Sequence, residues 1–75
     1  SISAQELLNL IQQLPPRYRM VFNLYVIEGM NHKEISDEMN ISVGTSKSNL
    51  ARARDILKRK VKELYGDIKE NNTTA

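Results

Sequence analysis

Apolar residues recur at steps of three and four along most of the chain, and the runs are separated by capping and breaking residues. In the first run Leu7, Leu8, Leu10, Ile11 and Leu14 share a helix-spaced face. Ser3, with Glu6 three residues on, has the pattern of a capping box that opens this helix. Pro15 and Pro16 then end it and can start the next, because proline fits a first turn whose N–H groups lack helical partners anyway. The second helix should run from Pro16 to Glu28, with Gly29 as its stop. It is apolar nearly all round: Met20, Leu24 and Ile27 on one face, Val21 and Tyr25 on another, Phe22 and Val26 on a third. Such a helix calls for burial on several sides, as the central helix of a small core. The alternative is that part of its surface docks a protein partner.

The segment from Asn31 to Arg54 carries the sharpest pattern. Asn31 can cap a helix, with Glu34 as its capping-box partner, and Ile35 and Met39 face one way at i and i+4. The helix should stop near Asn40, a residue that tolerates the left-handed conformation usually left to glycine. Ile41 packs into the corner, and Ser42 caps a further helix with Thr45 in the partner position. Two helices so close together must cross steeply, which is the geometry of a helix-turn-helix. Along the last helix Ser46, Leu50, Ala53, Leu57, Val61 and Leu64 form one stripe that should be buried. Thr45, Ser48, Asn49 and Arg52 form a second stripe of the same period, entirely polar. Short donors and acceptors at a helix start, followed by cations, suit entry into a DNA major groove.

The predicted architecture is all-α: helices over 3–13, 16–28, 32–39 and 43–65 make a four-helix domain containing a helix-turn-helix, with a long C-terminal recognition helix. Residues 1–66 form this domain. Gly66 should end the last helix, leaving a polar tail over 67–75 expected to be disordered.

Charge distribution strengthens the DNA reading. The chain of 75 residues carries a net +2, yet residues 47–62 hold seven cations against Asp55 alone, a local +6 set against −4 elsewhere. One helix is thereby aimed at a polyanion while other surfaces remain free for different contacts. A basic amphipathic helix can also be a solvated face or lie on a membrane surface; the preceding turn favours nucleic acid. A domain this small buries only about 60% of the surface its unfolded chain exposes, so its stability should be modest.

Other functional classes find little support. There is no cysteine and a single histidine, His32, and the carboxylates are spread over solvated helix faces. Neither a nucleophile–base pair nor a metal cluster can be assembled, so no enzyme activity, metal or cofactor is expected. No apolar run approaches the roughly 20 residues that span a bilayer, and the absence of cysteine suits a reducing, cytoplasmic compartment. The chain opens at Ser1 without an initiating methionine, which reads as a fragment or processed product.

Several segments, in order, resemble region 4 of bacterial sigma-70-like factors of the extracytoplasmic-function (ECF) group. They are Leu-Pro-Pro-Arg-Tyr-Arg-Met-Val-Phe at 14–22, Glu28-Gly29, His-Lys-Glu-Ile at 32–35, and Ile-Ser-Val-Gly-Thr-Ser-Lys-Ser at 41–48, followed by Ala-Arg-Ala-Arg at 51–54. The resemblance covers roughly residues 5 to 64. It implies recognition of the −35 promoter element in double-stranded DNA, contact with the β flap of the RNA polymerase core, and an anti-sigma factor as a further partner. Carried onto this chain, Lys47, Ser48, Asn49 and Arg52 would face the groove, and Arg54 and Lys58 the phosphates. Thr45 lies on the same polar stripe, and His32 and Lys33 could approach a phosphate from the start of their helix. Met20, Phe22 and Val26 are the candidates for polymerase or anti-sigma contact. Ser36 stands where the family commonly has alanine, Asn40 where it has the turn glycine, and Asn49 where it often has arginine.

Two other readings compete. The DNA-binding effector domain of a response or quorum-sensing regulator shares the four-helix plan but binds DNA as a dimer, whereas a sigma domain is expected to be monomeric. A protein-interaction adaptor with a masked or vestigial DNA helix is the third possibility.

Overall fold

The computed structural model describes residues 2–66 with their side chains and follows the backbone of the last helix to Thr74. Four helices account for most of the described chain: α1 (Ala4–Gln12), α2 (Pro16–Phe22), α3 (His32–Met39) and α4 (Val43–Thr74). A five-residue π turn, Asn23–Ile27, continues α2. No strand occurs among the described residues.

Local chemistry sets each helix start. Ser3 accepts a hydrogen bond from the Glu6 N–H while Glu6 accepts from the Ser3 N–H, both at 3.1 Å. Asn31 and Glu34 repeat the arrangement at the head of α3, at 2.8 and 2.9 Å. Each cap satisfies N–H groups that no helical carbonyl can reach and stabilises its helix by about 1 kcal/mol. At the other end of α1, the Arg19 guanidinium donates to the Gln12 carbonyl at 2.9 Å, placing a cation on unsatisfied carbonyls at the negative end of the dipole.

Helix α4 is the common floor on which the others pack. Its buried Leu50, Ala53 and Leu57 meet Leu10, Ile11 and Leu14 from α1 and its exit, Val21 and Phe22 from α2, and Ile35 from α3. Ile35, Val21 and Ser46 are the largest side chains wholly withdrawn from solvent.

Four expectations need correction. The chain over 16–28 is not one regular α-helix: from Asn23 it widens, so that the Glu28 N–H bonds the Asn23 carbonyl five residues back at 3.0 Å. Nor is that segment buried all round. Val21 and Phe22 face the core, while Met20, Val26 and Ile27 are exposed, because α4 and α3 cover only one side of it. The buried stripe of α4 ends at Leu57. Val61 is half-buried and Leu64 is 56% exposed, since the side chains of α1 and its exit that lie beside Leu64, Glu6, Asn9 and Gln13, are mostly polar. Finally, α4 runs through Gly66, which does not take the positive φ by which glycine stops a helix. A glycine in an ordinary helical conformation only weakens the helix, by about 1 kcal/mol relative to alanine. The polar tail expected over 67–75 lies outside the described residues.

Candidate nucleic-acid interface

The turn between α3 and α4 is built on Asn40, whose backbone is left-handed at φ 55° and ψ 48°. It is the one non-glycine residue with positive φ among the described residues. The Ile41 N–H returns to the Ser36 carbonyl at 3.1 Å, closing the helix end in the manner of a Schellman motif. Ser42 then opens α4: its Oγ accepts from the Thr45 N–H and donates to Thr45 Oγ1, both at 2.9 Å. Ser36 is buried against the crossing helix and donates its hydroxyl to the Lys33 carbonyl at 3.0 Å. The Ser36 hydroxyl is thus accommodated without an unpaired polar atom.

On α4 the core residues Ser46, Leu50, Ala53 and Leu57 define the inward direction, and at 100° per residue the remaining side chains sort into edges. Ser48 and Arg52 point outward and are exposed, with Thr45 exposed beside them and Asn49 half-buried on the flank of the core stripe. Lys47, Arg54 and Lys58 are exposed along the opposite flank, so Lys47 does not share an edge with Ser48, Asn49 and Arg52, the residues it was expected to face the groove with. The Ser48 hydroxyl donates back to the Thr45 carbonyl at 3.1 Å, leaving its oxygen lone pairs available as acceptors. Asp55, the only acid in the basic segment, pairs with Arg59 at 3.0 Å. Among the described residues, Lys47, Arg52, Arg54 and Lys58 make no ion pair, so their charge is available to an outside anion. Lys33 is exposed but pairs with Asp37 at 3.0 Å, one turn on.

His32, at the start of α3, is held from within the fold. It is half-buried, with Nδ1 2.8 Å from the Oγ of the fully buried Ser46. Its ring stacks on Tyr25 with centroids 4.7 Å apart and planes at 25°, and the Arg54 guanidinium carbon lies 5.7 Å from the same tyrosine centroid. With Nδ1 engaged, only Nε2 is left to meet a phosphate.

The apolar candidates divide. Met20 is 51% and Val26 46% exposed, whereas Phe22 is 8% exposed and belongs to the core, where it supports the surface from beneath. Ile27, which sequence reasoning did not single out for contact, is 61% exposed beside Val26. A shallow groove lined by Met20, Leu24 and Met39, with Glu28 and Glu38 at its margin, lies between the second helix and α3. Among the described residues no group of three acidic or histidine side chains could hold a metal, and no helix is long and apolar enough to cross a membrane.

Comparison with known proteins places this geometry. The family model described as Sigma-70, region 4 matches residues 4–57, from the first residue of α1 to the last buried position of α4. The chain belongs to the sigma-70 region 4 family. Its relatives include the ECF RNA polymerase sigma factor SigW of Bacillus subtilis, 37% identical over 68 residues, covering 85% of this chain and 36% of the relative. SigM of the same organism is 46% identical over 48 residues, covering 64% of the chain and 29% of the relative. The ECF sigma-E factor of Escherichia coli is 37% identical over 54 residues, covering 72% and 28%. The chain therefore spans about a third of the length of these relatives, and it is a region 4 domain of the ECF type, a sigma-factor DNA-binding domain.

Sequence reasoning gave Tyr25 of this region 4 domain no role beyond packing. Periodicity put it on an apolar face, and nothing in a helical pattern reports a ring stacked across a turn on a residue seven positions later. Ser46 did carry a signal: a hydroxyl in an otherwise apolar stripe needs a partner when buried.

Proposed function

We propose that this region 4 domain recognises a −35 promoter element through the outward edge of α4 and joins the RNA polymerase core through the apolar surface of α2 and its π turn. The observation that carries the reading is the polar edge at the head of α4, where Thr45, Ser48 and Arg52 are exposed and Asn49 is half-buried beside them, flanked by cations that no acid of the described residues neutralises. Asn49 can pair bidentately with adenine and Arg52 with guanine, each pair contributing about 1–3 kcal/mol of discrimination. Lys47, Arg54 and Lys58, with Lys33 and the free edge of His32, add sequence-independent attraction to phosphates. Met20, Val26 and Ile27 give the polymerase β flap, or an anti-sigma factor competing for the same surface, exposed apolar side chains to pack on. A cytoplasmic, monomeric protein with no catalytic group fits this role, and the sigma family match favours it over the dimeric effector-domain reading.

Fluorescence anisotropy on labelled duplexes tests the DNA arm. Binding should be weak, fall steeply with added salt, and weaken further in Arg52→Ala and Lys47→Ala; variants that bind as the parent does would overturn the assignment. For the docking arm, NMR titration with a β-flap fragment should shift Met20, Val26 and Ile27 resonances, and Val26→Glu should abolish the shifts. Absence of shifts in the parent would count against that surface.

A further inference from the structure

Tyr25 sits where three elements of the fold meet. It belongs to the π turn, its ring stacks on His32 at the head of α3 at 4.7 Å, and the guanidinium of Arg54 from α4 lies 5.7 Å from its centroid. His32 is itself anchored by Ser46, whose hydroxyl is wholly buried 2.8 Å away. The tyrosine ring is therefore held by something rigid, and the arginine beside it is held by the ring. Lys47 and Lys58 lie on the same flank of α4 with no aromatic partner among the described residues.

An exposed arginine has many rotamers, and fixing them on a ligand costs entropy. A ring that attracts the guanidinium through its quadrupole restricts those rotamers before the ligand arrives. We infer that Tyr25 is a positioning residue for DNA binding: it holds the Arg54 guanidinium in place for a backbone phosphate without itself needing to touch the DNA. The widened turn serves this arrangement. Its wider-than-α winding shifts the residues after Asn23 around the axis, and it is in this shifted frame that Tyr25 reaches His32 and Arg54. This inference rests on the proposed phosphate contact of Arg54.

The test is a double-mutant cycle in the full chain, read by anisotropy on a fluorescein-labelled mixed-sequence DNA duplex, together with NMR of the arginine side chains. Tyr25→Leu should weaken binding about two- to fivefold, the range an exposed cation–π contact supports. Tyr25→Phe, which keeps the ring, should bind as the parent does. In an Arg54→Ala background Tyr25→Leu should have no further effect, whereas its effect should add to that of Lys58→Ala. The Arg54 side-chain protons should show an upfield ring-current shift in the parent and in Tyr25→Phe, lost in Tyr25→Leu. An equal loss in the Arg54→Ala background would overturn the inference and leave Tyr25 a packing residue. So would the absence of the ring-current shift from the parent, a measurement that stands even if Tyr25→Leu fails to fold. If Arg54→Ala binds as the parent does while Arg52→Ala is weakened, the inference fails and the DNA reading survives. If both bind as the parent does, the DNA reading fails with it.

Discussion

Helices α2 and α3 are similar in length and both pack on α4, yet they are specified in opposite ways. The start of α3 is closed by a reciprocal pair of hydrogen bonds between Asn31 and Glu34, and its end by the left-handed Asn40. The start of α2 has no side-chain cap at all, only Pro15 and Pro16, and its end loosens into a π turn before Gly29 reverses the chain at φ 74°. Even the closing bond differs. The Met30 N–H reaches the Leu24 carbonyl, one residue further back than the equivalent bond from Ile41 to Ser36. One helix is fixed by its own sequence, while the other takes its shape from what it rests on. The difference matches the tasks proposed for them: α3 must hold the recognition helix at a set angle, and α2 must present surface to a partner.

The strongest way to break this comparison is to remove its common element, the core. Ile35→Ala and Val21→Ala should destabilise through lost burial and a cavity, Ile35→Ala by about 2–5 kcal/mol and Val21→Ala by less, measured by denaturant unfolding. In a domain of this size the first could leave little folded protein. The caps separate the helices more sharply. Asn31→Ala should cost about 0.5–2 kcal/mol and raise amide exchange across α3, while Pro15→Ala, which removes no side-chain bond, should leave α2 protected. Equal sensitivity of the two helices would erase the distinction.

The two reversals differ by less. Gly29→Ala puts a Cβ on a left-handed residue and should cost about 1 kcal/mol, although no atom lies within 4 Å to clash with it. At the other turn Asn40→Gly should be close to neutral, since relief of the left-handed strain offsets the added freedom of the unfolded chain.

The smallest effect concerns the clamp between α1 and the far part of α4, where the Tyr65 hydroxyl donates to the Glu6 carboxylate. This bond, followed by those from Ser3, holds the Glu6 carboxyl below its ordinary value of 4.5 and raises the Tyr65 phenol above 10.0. The carboxylate's contribution is therefore present above pH 4.5 and lost as pH falls through its lowered folded value. That of the phenol is present below pH 10.0 and lost as pH rises through its raised one. Denaturation midpoints of the parent and Tyr65→Phe should differ slightly at neutral pH and converge in acid. Curves that remain parallel down to acid pH would show that the clamp does not link the helices.

Legibility followed the same divide between local and tertiary control. The capping boxes at Ser3 and Asn31, the left-handed Asn40, the Ser42 cap and the buried run Ser46, Leu50, Ala53 and Leu57 were all readable, because each depends on residues within a turn or two. The exposed basic and polar edges of α4 followed from the same period. The π turn was not readable, since widening a helix by one residue depends on what it packs against. The exposure of Leu64 and the continuation of α4 through Gly66 were also missed; an apolar period marks positions that could be buried, and the side chains the neighbouring helix sets against them decide how many are.

The hydrogen bond between His32 and Ser46 has a consequence for how this sequence can drift. Ser46 has no solvent to fall back on, so any replacement at position 32 that cannot accept or donate there leaves a stranded hydroxyl in the core. Replacing Ser46 by alanine first would remove that demand on position 32, leaving only its stacking on Tyr25 to be kept. The two sites, fourteen residues apart, therefore strand a buried hydroxyl in one order of change and not in the other. Descendants of this chain should lose the serine before they lose the histidine.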